Sequence, residues 1–194
     1  MDPFFKIFRV TADDAAKIAV SPNDPHIHEF EELLIGEEGM IEHFIDYRSL
    51  EFKAPFISFI AKGKVHRIKP MAVDGKCNIW AIGFGSAFIP ETTFQLYSYY
   101  HEHADIIIKD QDCFKRMLKL VEMINEEMQN QKASMALVRD LLKALFTMIE
   151  AESDKYDIEE RKFPKVQNTA FKNFLKIPYP LAYCPIKIIL PGEF

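Results

Sequence analysis

The chain has few cysteines and no long apolar run, and these absences exclude several classes of protein. Its 194 residues include three cysteines, all widely spaced, so the sequence predicts neither a disulfide framework nor a zinc finger. The N-terminal stretch MDPFFKIFRV is charged and lacks the apolar core of a signal peptide, and no apolar run approaches the length that spans a bilayer. The sequence therefore predicts a cytoplasmic protein with no membrane partner.

Positive charge is scarce in most of the chain. Residues 1–160 carry 18 basic against 28 acidic side chains, whereas residues 161–194 carry 6 against 1. An acidic body is a poor partner for a phosphate backbone, so we expect any contact with nucleic acid to lie outside the first 160 residues. The composition is 48% hydrophobic with 17 phenylalanines, which predicts one domain with an aromatic core, plus an appendage.

Short apolar segments separated by turn residues fill the first half of the chain. Within one of them, Trp80, Ile82 and Phe84 share a face, and a strand period of two would direct them into a common interior. This pattern of short apolar segments predicts an all-β unit, a barrel or a sandwich. The predicted strands are Phe4–Val10, Glu31–Gly36, Met40–Tyr47, Ser49–Phe52, Pro55–Ile60, Val65–Ile68 and Cys77–Phe84.

The apolar period changes from that of a strand to that of a helix after Asp110. Apolar residues from Phe114 to Met128 recur at helical spacing, which predicts an amphipathic helix beginning near Asp110. A second predicted helix spans Ser134 to Ala151 and carries two adjacent apolar rows, so we expect burial on a second side, against the neighbouring helix and then the barrel or another subunit. The first row is Val138, Leu142, Leu145 and Ile149, and the second, assigned to a dimer interface, is Leu137, Leu141, Ala144 and Met148.

Three histidines and a glutamate stand at informative spacing. The segment HIHEFEELLIGEEG places His26 and His28 two residues apart and Glu32 four beyond, while AKGKVH supplies His66. In an extended strand these even-numbered residues share a face, where His66 from a later antiparallel strand would meet them. Three imidazoles and one carboxylate suit Fe, Mn, Ni, Co or Zn. The alternative is that the four side chains hydrogen-bond one another or an organic ligand.

The spacing H-x-H-x(3)-E-x(6)-G followed by G-x-x-H resembles the cupin superfamily. That resemblance implies a double-stranded β-barrel (jelly roll) with a divalent metal at the positions of His26, His28, Glu32 and His66. The second motif departs from the family pattern, because Ala61 stands where proline is usual and no asparagine follows His66 at the expected place. The departure weakens the case for a catalytic metal more than the case for the fold.

The segments PHIHEFEELLIGEEG, EHFIDYRSLEF and IAKGKVHRI together resemble the N-terminal domain of the AraC family of transcription regulators. The resemblance covers roughly residues 5 to 150 and implies a cupin barrel followed by an antiparallel helix pair. It implies a sensor barrel at 1–110, a helical dimerisation unit at 111–152 and a basic linker at 153–176. That linker leads toward a helix-turn-helix DNA-binding domain missing from this chain, and residues 177–194 form an irregular tail of uncertain origin.

The same resemblance implies what the domain does. We expect a bacterial homodimer that senses a small-molecule effector, a sugar or another metabolite, and that contacts DNA only through the missing domain. The expected ligand-binding residues of the barrel lumen are His26, His28, Glu32, His66 and Trp80, with no catalytic residue and no cofactor. The alternative is a cupin metalloenzyme of the dioxygenase or isomerase type, with His26, His28, Glu32 and His66 as ligands of a divalent transition metal.

Overall fold

The computed structural model describes residues 4–45, 48–85, 88 and 105–160, with side chains for all of these except 105–107 and 153–160. It confirms the expected class, a mainly β unit followed by two helices. The elements in chain order are β1 (Phe5–Thr11), α1 (Ala12–Val20), β2 (Glu31–Glu38), β3 (Met40–Ile45), β4 (Arg48–Lys53), β5 (Phe56–Ile60), β6 (His66–Met71), β7 (Asn78–Phe84), β8 (Asp105–Ile107), α2 (Gln111–Gln129) and α3 (Met135–Glu160).

The strands form two antiparallel sheets that face each other. The five-stranded sheet has the order β1-β7-β2-β5-β8, and the three-stranded sheet has the order β4-β3-β6. Side chains of both sheets share one apolar cluster, in which Ile41 of β3 packs with Leu34 of β2 and Ile79 of β7. Within the described part of the chain no strand ladder joins the two sheets into a closed cylinder, so the expected barrel takes the form of two stacked sheets.

The five-stranded sheet has two different faces, because successive side chains of a strand point to opposite sides. One face, here the helix face, presents Leu33 and Ile35 of β2 beside Ile82 and Trp80 of β7, and it packs against α2 and α3. The other, here the inter-sheet face, presents Leu34 and Glu32 toward the three-stranded sheet. A single strand thus serves two separate interiors.

Helix α2 begins where the sequence predicts. The Asp110 carboxylate accepts hydrogen bonds from the backbone N–H groups of Asp112 and Cys113, at 3.1 and 3.0 Å, and so caps the first turn. The apolar stripe expected on this helix is confirmed by the burial of Phe114, Met117 and other side chains in the helix-face cluster. Neither α2 nor any other described helix is long and apolar enough to cross a membrane.

Helix α3 extends further than predicted. It continues to Glu160, so residues 153–160, which the sequence assigns to the start of a linker, are helical. The charged composition of this stretch suggested a linker, but lysine and glutamate are also good helix formers and continue a helix already started. The first apolar row of α3 is fully buried together with Phe146, which packs edge-on against Phe59 and Phe84 of the sheet.

Two described elements, α1 and β8, are absent from the predicted set. Helix α1 begins with a capping box in which the Thr11 hydroxyl and the Asp14 carboxylate each bond the other's backbone N–H. Ala15 of this helix is buried in the inter-sheet cluster. Nine residues of mixed polarity give too short a periodic signal to separate a helix from a loop, and the capping box is the signal that would have identified it.

Some predicted segments lie outside the described residues. These are Asp46 and Tyr47 at the end of the third predicted strand, and residues 161–194, which include most of the predicted linker and the whole predicted tail.

A candidate metal and ligand site between the sheets

The structure brings three of the four predicted site residues together at one end of the inter-sheet space. One ligand atom each of His28, Glu32 and His66 lies within 4.8 Å of the other two. The Glu32 Oε2 atom is 3.2 Å from Nε2 of His28 and 3.3 Å from Nε2 of His66. Both imidazoles are buried, whereas 19% of the Glu32 side chain is exposed.

Strand geometry explains how residues distant in sequence meet here. Glu32 lies on β2 and points to the inter-sheet face, and His66 is the first residue of β6 on the facing sheet. His26 pairs with His66 as an isolated antiparallel bridge, with two backbone hydrogen bonds of 2.9 Å. This bridge fixes the segment that precedes β2 and delivers His28 to the same place.

His26, the fourth predicted residue, lies beside this group of three. Its ring centroid is 4.6 Å from that of His66 and 6.2 Å from that of His28. Burial lowers the pKa of His26, and the neighbouring imidazoles His66 and His28 lower it further, against the opposing hydrogen bond to Asp24 and the charge of Glu32. The ring is therefore biased toward its neutral form, which is the form that binds a metal.

The hydrogen bonds of the three imidazoles fix which nitrogen carries the proton. Nδ1 of His28 lies 2.7 Å from the carbonyl oxygen of Phe30, and Nδ1 of His66 lies 3.2 Å from that of Lys64. Nδ1 of His26 contacts the Asp24 carbonyl in the same way, at 3.1 Å. A carbonyl oxygen only accepts, so each Nδ1 donates, and in the neutral ring each Nε2 then keeps its lone pair. Such backbone anchoring is typical of metal-binding histidines.

The Glu32 carboxylate is ionised over the whole neutral and mildly acidic range. Burial opposes its ionisation, but hydrogen bonds from His28 and His66 and the positive charge of these rings outweigh burial and hold its pKa at about 2. A carboxylate accepts and does not donate, so two such bonds require both rings to be doubly protonated. Two imidazolium ions around one carboxylate would leave excess positive charge in a mostly buried site, which costs free energy.

A divalent metal ion would remove this conflict, and the distances from the Glu32 carboxylate to the two rings fit one. Zinc lies about 2.0–2.1 Å from imidazole nitrogen and about 2.0–2.2 Å from carboxylate oxygen, which sets the nitrogen and oxygen ligands roughly 2.9 Å apart at a right angle and about 3.4 Å apart at the tetrahedral angle. The two observed separations of 3.2 and 3.3 Å lie in this interval. His28, Glu32 and His66 are thus candidate ligands of a metal with both rings neutral, all three ligand atoms lying within 4.8 Å of one another, and His26 lies beside them.

Trp80 does not belong to this site. It lies on the helix face of β7, opposite Ile35 of β2 and Arg9 of β1 in register, with the Arg9 guanidinium 4.6 Å from its ring centroid. Glu32 points to the other face of the same sheet. The shared face of Trp80, Ile82 and Phe84 is confirmed, but it is the helix face and not the inter-sheet face that carries Glu32. The sequence does not say which side of the sheet the helices cover.

The inter-sheet space contains two buried polar residues that the sequence did not single out. His43 of β3 and Ser58 of β5 are both completely buried, and their side chains hydrogen-bond each other at 3.2 Å across the two sheets. The His43 ring lies 6.5 Å from the His66 ring, edge to face. The signal was available in EHFID, where His43 shares the strand face of Ile41 and therefore interrupts an apolar row. These two residues extend the polar interior beyond the predicted site.

The residues assigned to a dimer interface lie on the outside of α3. Leu137 is 43% exposed and Ala144 is exposed, whereas Leu141 and Met148 are half-buried at the edge of the helix-face cluster. The single chain therefore leaves this row partly in contact with solvent.

No protein-family model matches this chain and no curated protein matches its sequence, whereas solved structures do match. Apo ToxT from Vibrio cholerae covers 80% of this chain at 10% identity and a TM-score of 0.51. The AraC-like transcriptional activator CuxR covers 76% of this chain and 48% of its own length at 10% identity and a TM-score of 0.46. A cupin superfamily protein from Desulfitobacterium hafniense covers 44% of this chain and 70% of its own length at 10% identity and a TM-score of 0.33.

The structural neighbours include AraC-family regulators, so the fold that the sequence resemblance implied is confirmed. At 10% identity, the likeness to ToxT concerns the fold alone. This chain spans 57% of the length of ToxT.

Proposed function

We propose that this chain is the effector-binding and dimerisation part of an AraC-type transcription regulator. The observation that carries the proposal is the polar cluster of His28, Glu32 and His66, which lies between the sheets of a fold shared with ToxT. Polar side chains are costly to bury, so a cluster that does not serve packing is a candidate binding site.

The chemistry of the inter-sheet residues indicates a small polar effector. The Glu32 carboxylate accepts hydrogen bonds, and imidazole and hydroxyl groups both donate and accept them. His43 and Ser58 place a second polar pair next to His66. A hydroxyl-rich molecule such as a sugar, or another polar metabolite, matches this set of groups.

Effector binding would be transmitted through the segment that precedes β2. This segment carries His26 and His28 and is tied to β6 by the His26–His66 bridge. A ligand that changes the contacts of His28 and His66 therefore biases the arrangement of two neighbouring elements. That bias is the two-state change that regulation requires.

The second apolar row of α3 supports dimerisation through the helices. Leu137, Leu141 and Met148 form a partly exposed apolar strip on a helix whose other side is fully buried. A homodimer with twofold symmetry covers such a strip with its own copy. Residues 1–160 are acidic and are poor partners for DNA, so the proposal places DNA contact in a separate helix-turn-helix domain under control of this one.

Light scattering and ligand screening test the two parts of this proposal. We expect a dimer at tens of micromolar, dissociated by Leu137→Glu and retained by the matched exposed-site variant Met123→Glu. We expect thermal-shift screening of sugars and small metabolites to find a ligand whose stabilisation is lost in His66→Gln and retained in Lys64→Gln. A monomeric wild-type protein would contradict the dimer, and a ligand that stabilises both variants equally would contradict the site.

A cupin metalloenzyme is the second candidate function, favoured by the hydrogen bonds of the imidazoles. Because each Nδ1 is anchored to a carbonyl, the Nε2 lone pairs of His28 and His66 face the Glu32 carboxylate, as the ligands of a metal do. His28, Glu32 and His66 would hold the ion, which as a Lewis acid would polarise a bound substrate. The three chain ligands leave coordination positions for that substrate.

Elemental analysis separates the two candidates. If the metalloenzyme candidate is correct, protein purified without chelator should contain close to one equivalent of a transition metal, and Glu32→Gln should lower the metal content. Glu31→Gln is unsuitable as a control because Glu31 is itself buried. The exposed Glu29→Gln is the matched control. Less than about a tenth of an equivalent in the wild-type protein would exclude the metalloenzyme and leave effector binding.

A further inference from the structure

A cleft of about 200 Å³ lies outside the inter-sheet space, on the outer side of the three-stranded sheet. Its walls come from the C-terminal end of α1 and the turn that follows, and from β6. The lining residues are Ile18, Ala19, Ser21, Asn23, Arg67 and Lys69. Arg67 and Lys69 are two residues apart on β6, so both point to the outer face, whereas the intervening Ile68 and the preceding His66 point inward.

The two cationic side chains in the cleft are unequally engaged. Lys69 is half-buried and forms no ion pair with any residue that the structure describes. Arg67 donates to Glu42 and lies 5.8 Å from the Phe44 ring centroid, which holds the guanidinium in place. The Nε–H of Arg67 is buried and has no acceptor among the described residues. Lys69 therefore keeps its ammonium donors for another anion, beside the fixed positive charge of Arg67.

Glu42 is the carboxylate that faces these cations from the neighbouring strand. It stands opposite Lys69 in the β3–β6 register, but its side chain is bonded to Arg67 and to the Ser49 hydroxyl. Glu51 of β4 lies beyond Glu42 in the β3–β4 register, and the lining of the cleft itself contains two cationic side chains and no carboxylate. Ser21 and Asn23 are bonded to the backbone carbonyls of Ile18 and Ile68, so they hold the wall in shape.

We propose that this cleft binds a small oxyanion, a phosphate or carboxylate group attached to a compact organic molecule. The fork of an arginine and the point charge of a lysine are the pair of groups that recognises such oxygens. The cleft volume corresponds to roughly seven water molecules, which accommodates the oxyanion and a few carbon atoms against Ile18 and Ala19. This site goes beyond the proposed function and does not depend on it.

The cleft and the inter-sheet site share two backbone segments. Strand β6 carries His66 on its inner side and Arg67 and Lys69 on its outer side. The segment before β2 carries Asn23, which bonds β6 at Ile68, and His26, which bonds β6 at His66. An anion held by Arg67 therefore acts on the same strand end that positions His66.

Calorimetric titration of the full chain tests the proposal, with inorganic phosphate and acetate as separate probes. We expect Lys69→Gln to weaken binding about tenfold, the loss of one charge-assisted contact. The control Lys53→Gln makes the same charge change at an exposed position on the same sheet and should leave affinity within twofold. Ala19→Trp, which fills the cleft without changing a charge, should abolish binding. Far-UV circular dichroism checks that each variant is folded.

Each result of these titrations either supports or contradicts an oxyanion site in the cleft. Binding of either probe that is lost in Lys69→Gln and Ala19→Trp supports the cleft, and the preferred probe identifies phosphate or carboxylate as the recognised group. Absence of binding by both probes at 10 mM, or equal weakening by Lys53→Gln, would overturn it. If Lys69→Gln does not fold, Ala19→Trp alone decides between a cleft and a general surface charge effect. None of these readouts depends on an effector between the sheets.

Discussion

The two faces of the five-stranded sheet are built from the same strands but have opposite characters. The helix face is lined mainly by apolar side chains that pack against α2 and α3, such as Leu33 and Ile35, and its buried carboxylate, Glu31 at the start of β2, accepts a hydrogen bond from the backbone N–H of Lys62. The inter-sheet face mixes apolar residues with Glu32 and Ser58, and the opposite sheet adds His43 and His66. Buried polar groups cost free energy, so the inter-sheet face, where four of them lie together, is where binding is expected.

The largest effect is expected on the helix face. Phe146→Ala removes a fully buried ring from between Phe59 and Phe84 and should lower the free energy of unfolding by about 3–5 kcal/mol, measured by urea denaturation. The exposed Met123→Ala on α2 is the control and should change stability by less than about 0.5 kcal/mol. A small effect of Phe146→Ala would mean that the helices pack only loosely on the sheet.

The Glu32 carboxylate on the inter-sheet face is expected to make the stability of the protein fall in acid. The pKa of Glu32 is about 2 in the folded chain, below the value of about 4.3 for a free glutamate. The ionised carboxylate therefore adds to the free energy of unfolding above pH 4.3, and this stabilisation is lost as the pH falls toward 2. In the presence of a chelator, Glu32→Gln should lower the free energy of unfolding above pH 4.3, where the wild-type carboxylate is ionised. It should also flatten the loss of stability between pH 4.5 and 2.

Urea denaturation at a series of pH values measures this dependence. The matched control is Glu29→Gln, which changes an exposed carboxylate three residues earlier and should leave the pH profile of the wild type intact. Parallel profiles for the wild type and Glu32→Gln would show that the carboxylate is not bonded to the imidazoles.

A tryptophan variant tests whether the two faces are independent. Trp80→Phe loses apolar area and the contact with Arg9, but it also removes a buried indole N–H that has no acceptor among the described residues. The net cost should be about 1 kcal/mol in the free energy of unfolding. Metal content and effector affinity should stay at the wild-type level, and a change in either would place Trp80 in contact with the site.

The smallest effect is expected at the helix that covers one end of the inter-sheet space. Thr11→Ala removes the N-cap of α1 and should cost about 1 kcal/mol. Hydrogen bonds from the Thr11 hydroxyl and backbone hold the pKa of Asp14 below its ordinary value, so this stabilisation is present above about pH 4 and is lost on acidification. Thr11→Ser retains the hydroxyl and should restore both the stability and its pH dependence.

The strand pattern and the helix pair were predictable because their signals are local. Short apolar segments between turn residues located seven of the eight described strands, and the helical spacing of apolar residues after Asp110 located the start of α2. The contact between Glu32 and His66 was predicted because both are even-numbered strand residues and because the sequence resembles the cupin superfamily. Trp80 shows the limit of predicting from strand alternation. Alternation tells which residues share a face of the sheet, but it does not tell which neighbouring layer covers that face.

What the sequence did not reveal depends on contacts between distant segments. The His43–Ser58 hydrogen bond joins two strands of different sheets, and neither residue has a motif of its own. The cleft beside Lys69 needs the path of the chain after α1, which short-range periodicity does not give. Helix α1 itself was missed because its nine residues span barely more than two turns.

The position of β1 has a consequence for how the protein is made. This first strand pairs with β7 alone among the described strands, in a register that places Phe5 opposite Phe84. At a synthesis rate of 5–20 residues per second, the partner is produced roughly 4 to 16 s after the strand itself. During that interval the N-terminal Phe-rich strand is a nascent segment without its partner, and the ribosome-bound chain is the stage at which it is exposed to chaperones or to aggregation.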